Sequence, residues 1–158
     1  MDWPDILMNA LWAGLFAGGL AVLLTAPSRY VVPTLVCGFL GRGSRNALVA
    51  WGMGYNWATV IAAAAIVLVA AAIVRNHRVS PVVLVCAVLP LGASIPMFNL
   101  IFGIMRVSAL EGAALDEASL AVIANLGKVL TGSLAVALGL AAGVVIVRLF
   151  KPGEAVAV

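Results

Sequence analysis

Two arginines interrupt a run that is otherwise apolar. Arg42 and Arg45 lie in Gly41-Arg42-Gly43-Ser44-Arg45-Asn46, between the apolar stretches 30–40 and 47–51. An arginine at the centre of a membrane helix costs roughly 2.5–3.5 kcal/mol on insertion scales, so a pair at that depth needs partners. In a helix the two are three positions apart and share a face, and the flanking glycines admit another segment or a ligand close to the backbone. Two guanidinium forks on one face match a carboxylate. The motif therefore reads as an anion or amino-acid carboxylate site, with Ser44 and Asn46 beside the arginines. The competing reading is an interfacial loop between short helices whose arginines reach lipid headgroups.

The second candidate is Pro90-Leu91-Gly92-Ala93-Ser94-Ile95-Pro96. Prolines remove backbone donors, and the groups they free are tolerated in a membrane only against protein or a water-filled cavity. A substrate path is expected there, with neutral hydrogen bonds from Ser94, Asn99, Asn125 and Thr131. The alternative is a static kink that fits the bundle. Lys128 reads as a residue that reaches the interface, His77 as a solvated loop residue, and Cys37 and Cys86 as small buried hydrophobes.

Several kinds of chemistry are missing from the sequence. No Asp or Glu occurs between Asp5 and Glu111, or from Ala118 to Lys151, so the chain offers no membrane-embedded carboxylate to relay protons. It has no phosphate loop, no HExxH, no Cys/His cluster, and no Ser/His/Asp set around its single histidine. We expect no catalytic residue, metal or cofactor, and no enzyme.

The elements that must position these residues follow from composition. Of 158 residues 65% are hydrophobic and 9% charged, with mean hydropathy +1.19, so lipid is the solvent. The expected fold is an all-α integral membrane protein, one transmembrane domain over 1–158. Its segments fall at about 6–24, 30–51, 58–74, 82–105 and 120–150, the second and fourth broken by Gly/Arg and Pro/Gly. Gly52-Met53-Gly54 is a turn, Tyr55 and Trp57 are interfacial aromatics, 107–119 is an exposed acidic linker, and Lys128 divides the last segment. With five crossings Arg29, Arg75, His77, Arg78, Arg148 and Lys151 share one side, while Asp2, Asp5, Arg106, Glu111, Asp116 and Glu117 share the other. That sorting puts the N-terminus outside and the C-terminus in the cytoplasm. Asp2 and Asp5 ahead of the first apolar run are the wrong charge for a secretory leader, so the first helix is expected to stay. Net charge +3, spread singly over segment ends, does not point to nucleic acid. The small-residue stripes Gly14/Gly18, Gly139/Gly143 and Ala62–Ala65 are packing surfaces that suggest assembly with another membrane chain.

Leu40-Gly41-Arg42-Gly43-Ser44-Arg45, followed by Asn56-Trp57-Ala58-Thr59, resembles the Gly-x-Gly-Ser-Arg and Trp-Ser/Thr region of the threonine/serine exporter family. Val88-Leu89-Pro90, Arg106-Val107-Ser108 and Asn125 fit the same pattern, so the resemblance covers about residues 10 to 150. In length and motif order the chain is most similar to the small membrane subunit of the two-component bacterial form. It departs at Ala93-Ser94, where the family's second Pro-Gly is expected. The resemblance implies a secondary exporter of small hydrophilic metabolites in the bacterial inner membrane, with threonine and serine or dicarboxylates such as succinate as substrates. It also implies a larger partner subunit of the same family. A scaffold that only stabilises a membrane complex is the alternative. A lipid-handling enzyme would need an interfacial catalytic cluster that the sequence does not supply.

Overall fold

In the computed structural model the described residues are 3–73, 81–92, 94–109, 111 and 113–150. Every regular element among them is helical. The order is α1 (Trp3–Leu23), α2 (Ser28–Ala50), α3 (Tyr55–Ile73), α4 (Pro81–Val88), a 3₁₀ turn (Leu89–Leu91), α5 (Ser94–Val107) and α6 (Ala113–Phe150). The chain divides into two compact units: Met1–Leu91 with Ala135–Val158, and Gly92–Leu134.

The first unit is built on small residues. In α1 the buried positions are Ile6, Ala10, Ala13, Gly14, Ala17, Gly18 and Ala21, which recur every three or four residues, twice as adjacent pairs, along one stripe. Side chains this short let backbones touch: a Cβ on Gly38 of α2 would lie 2.6 Å from the Cβ of Ala17, and one on Gly14 would lie 2.9 Å from the Leu35 carbonyl oxygen. On its other side α2 meets a core of Cys37, Ala62, Ala63, Ile66, Ala70, Val83, Ala87, Val88 and Leu91. The later part of α6 closes on α3, with Gly143 against Val67 and Ala64, and Gly139 against Val60 and Ala63. The glycine stripes are thus occupied within the chain, and they no longer argue for an outside partner.

Both tight connections end their helices the same way. Ala26 N–H bonds the Ala21 carbonyl and Thr25 N–H that of Val22, with Thr25 at φ 54°. Met53 N–H bonds Leu48 and Gly52 N–H bonds Val49, with Gly52 at φ 89°. These are paired Schellman bonds around a left-handed residue, which satisfy the last carbonyls of each helix. The turn expected at 52–54 is therefore present.

In the second unit Gly103 of α5 faces Val122 of α6, and the Phe98 and Phe102 rings lie 4.3 Å apart on successive turns. Most of its large apolar side chains, among them Met97, Ile101, Met105, Ile123 and Leu130, are exposed, while Leu100 is buried. This is the surface expected of a helix in lipid.

Several expectations need correction. The second segment is not broken: α2 runs unbroken through Gly41, Arg42 and Gly43 to Ala50. Each glycine inside a helix costs about 1 kcal/mol against alanine, and close packing on α1 and the core offsets it here. The last segment is one continuous helix of 38 residues that runs through Lys128. The acidic linker is shorter than expected, since α6 starts at Ala113 and takes Asp116 into its first turn, where a carboxylate suits the helix dipole. The fourth segment is interrupted at Leu89–Leu91, as the prolines predict. By length and apolarity α1, α3 and α6 can each cross a bilayer, and α4 with α5 makes a fourth if the interrupted pair is one span. The expected cations Arg75, His77, Arg78 and Lys151, and Asp2, lie outside the described residues.

Candidate functional site: guanidinium groups on an interrupted helix

Thr34, Gly38, Gly41 and Arg45 follow one another at three- and four-residue steps and are all buried, so the packed face of α2 carries a charge at its end. Gly41 makes the approach possible. A Cβ there would fall 2.5 Å from Ile66 Cδ1 and 2.9 Å from Leu91 Cδ1, so α3 and the 3₁₀ turn rest directly on the α2 backbone. With the turn this close, both arginines reach it. Arg42 Nη1 donates to the Pro90 carbonyl at 2.9 Å, and Arg45 Nη1 donates to the Leu91 carbonyl at 2.9 Å.

These carbonyls end the α4 and 3₁₀ run, where a helix leaves acceptors unpaired and carries partial negative charge. Two cations on that end satisfy the acceptors and oppose the dipole. The break and the arginines are one construction, in which each explains how the other survives away from water.

Arg45 has further partners. Its Nη1 also donates to Tyr55 Oη at 3.2 Å, and its Cζ stands 5.1 Å from the Tyr55 ring centroid, within cation–π range. Arg45 is only 3% exposed. Its Nε is nevertheless buried without a hydrogen-bond partner, and so is Nδ2 of Asn46, itself 6% exposed. Ser44 donates to the Gly41 carbonyl at 3.0 Å within its own helix.

The charge balance is one-sided. Desolvating an ion costs several kcal/mol, while a hydrogen bond to a charged group returns about 1.5–3 kcal/mol. Carbonyl contacts therefore offset part of the cost of two guanidiniums, and the sequence supplies no acid between residues 6 and 110 to supply the rest. The described residues thus leave buried donors on Arg45 and Asn46 unspent beside uncompensated positive charge. Along the axis Arg45 lies about 7.5 Å from the end of α2 at Ala50, slightly nearer that end than the helix midpoint, whereas Arg42, about 12 Å from the end, is nearer the midpoint.

Of the expected site residues, the structure brings together Arg42, Arg45 and Pro90, with Ser44 and Asn46 alongside on α2. Ser94 begins α5, and its side chain is outside the described set. Asn99 is exposed on α5. Asn125 and Thr131 donate to carbonyls of their own helix, at Ala121 and Gly127. Sequence reasoning missed two participants. Leu91 acts through its backbone, which no residue type announces, and Tyr55 reads as an interfacial aromatic until its hydroxyl is seen on Arg45.

A family model described as Threonine/Serine exporter, ThrE, matches residues 9–150. The chain belongs to the threonine/serine exporter family. No curated protein and no solved structure shows significant similarity to it. Membership places the chain among membrane transporters of exporter type rather than among enzymes. The match takes in every residue of the arginine site, from Gly41 to Leu91.

Proposed function

We propose that this exporter-family chain is the small membrane subunit of a two-component secondary exporter in the bacterial inner membrane. In this reading it acts with a larger subunit of the same family, and Arg42 and Arg45 hold a carboxylate of the exported solute. The observation that carries the reading is the buried Arg45 guanidinium with its Nε–H unspent, the half-buried Arg42 beside it, and no acid in the first 110 residues beyond Asp2 and Asp5. α2 also crosses the membrane, which brings the crossings to five, its arginines made tolerable by the α4 end, with the N-terminus outside and the C-terminus cytoplasmic.

Charge bears on the choice of solute. A zwitterionic amino acid presents an ammonium as well as a carboxylate, and the described site offers it only carbonyl oxygens and the Tyr55 ring. A dicarboxylate such as succinate matches two cations without needing an acid. The site of this chain alone therefore favours a dicarboxylate, and export of threonine or serine calls for an acid from the partner. The test is an export assay in cells expressing both subunits, with succinate and threonine as separate probes. Arg45→Ala is expected to abolish export with the chain still present in the membrane; unchanged export removes Arg45 from the mechanism.

The scaffold reading draws on one observation, that both arginines already bond backbone carbonyls. It predicts that Arg45→Ala lowers the amount of assembled complex and the export rate in the same proportion. Transport lost at constant assembly speaks against it.

A further inference from the structure

Tyr55 stands between a buried cation and the outside of the unit. It is the first residue of α3, just after the Schellman turn at Gly52, and 43% of it is exposed, whereas Arg45 behind it is 3% exposed. Its oxygen accepts from Arg45 Nη1 and its ring lies over the guanidinium. A phenol carries one donor and two lone pairs, so accepting from arginine leaves its own O–H to give. Among the described residues no acceptor takes that proton. The ring contact alone would be met by phenylalanine, so the hydroxyl is the part that needs a purpose.

Building on the anion-site reading above, we propose that Tyr55 is a substrate-binding residue at the lip of the site. Its oxygen holds one Arg45 N–H until an anion arrives, and its O–H then donates to that anion. The exchange is economical. One Arg-to-phenol bond is given up, and two charge-assisted bonds to the anion replace it, one from arginine and one from tyrosine. No proton changes owner. The aromatic ring keeps its place over the guanidinium throughout, so a cation without a counter-ion stays screened from the outside between transport cycles.

The test is kinetic and uses membranes from cells expressing this chain with its partner subunit, normalised to the amount of chain present. Labelled succinate and labelled threonine are the probes. Tyr55→Phe, which keeps the ring, is expected to raise KM about threefold to tenfold with kcat unchanged, the size of one lost hydrogen bond. Tyr55→His, which restores a ring donor, is expected to recover part of that loss. Wild-type KM in Tyr55→Phe, a fall in kcat at constant KM, or equal KM in the two variants would overturn the assignment. Arg45→Ala separates the layers. If it abolishes transport while Tyr55→Phe matches wild type, the anion site stands and the role of Tyr55 fails. If it transports normally, or if wild-type membranes move neither probe, both fail together.

Discussion

Among the described residues, polar side chains reach across to other elements only in the first of the two units, which also has local bonds at Thr34, Ser44 and Thr59. On α2, Arg42 and Arg45 reach carbonyls 46 to 48 residues away in sequence, and Arg45 also meets Tyr55 from a third element. Just past the end of α5 and on the early part of α6, Ser108, Asn125 and Thr131 bond carbonyls three or four residues back along the chain. A back-bond of that kind lets a helix keep a polar side chain in an apolar medium, and it requires nothing from the tertiary structure. A long-range bond from a buried charge demands that several elements be in place at once. The contrast separates groups that the fold merely tolerates from groups that it is organised around.

The most severe way to break this contrast is to remove the buried donor that reaches two other elements, Arg45. Arg45→Ala leaves the Leu91 carbonyl without its partner and removes the deeper of the two cations, so export should fall at least about tenfold. Arg45→Lys should retain part of the activity, because an ammonium supplies the charge but not the planar fork. Export rates of the two variants, set against their abundance in the membrane, check the order. Equal loss in both would mean that fork geometry, rather than charge, is what the site uses.

Glycines test the same contrast in packing. Gly38→Ala puts a Cβ against the Ala17 Cβ and the Ala13 carbonyl, neither of which can swing aside. It should destabilise the protein by about 1–3 kcal/mol, as overpacking does. Gly127→Ala in the second unit meets nothing within 4 Å and gains helix propensity, so it should be neutral or stabilising by up to about 1 kcal/mol. Thermal unfolding in one detergent measures both. Similar shifts for the two would show that the units do not differ in packing.

What the sequence disclosed follows the same line. The helical class, the approximate segments and the break at Pro90 were legible because they depend on composition and on residues with unusual backbones. Arg42 and Arg45 stood out because charge in an apolar run is costly wherever it points. The continuity of α2 was not legible, since two glycines and two arginines within five positions look like a loop until Ile66 and Leu91 are seen filling the space over Gly41. Nor was the carbonyl of Leu91, because every residue carries one. Local patterns report what a segment resists, and only the packed structure reports what relieves it.

The smallest effect is expected at Asn125, a residue that the family resemblance draws attention to. Its amide nitrogen gives a 2.9 Å bond to the Ala121 carbonyl, one turn earlier on α6. That carbonyl already lies in the path of the helix's own hydrogen-bond ladder, so losing a second donor does not orphan it. Alanine also has the better helix propensity, by a few tenths of a kcal/mol. Asn125→Ala should therefore change export by less than about twofold and stability by less than about 0.5 kcal/mol, within the range of surface substitutions. A loss of export comparable with that of Arg45→Ala would show that a side chain bonded within its own helix still acts on the solute. The division between local and long-range polar groups would then fail as a guide to which residues of this chain transport.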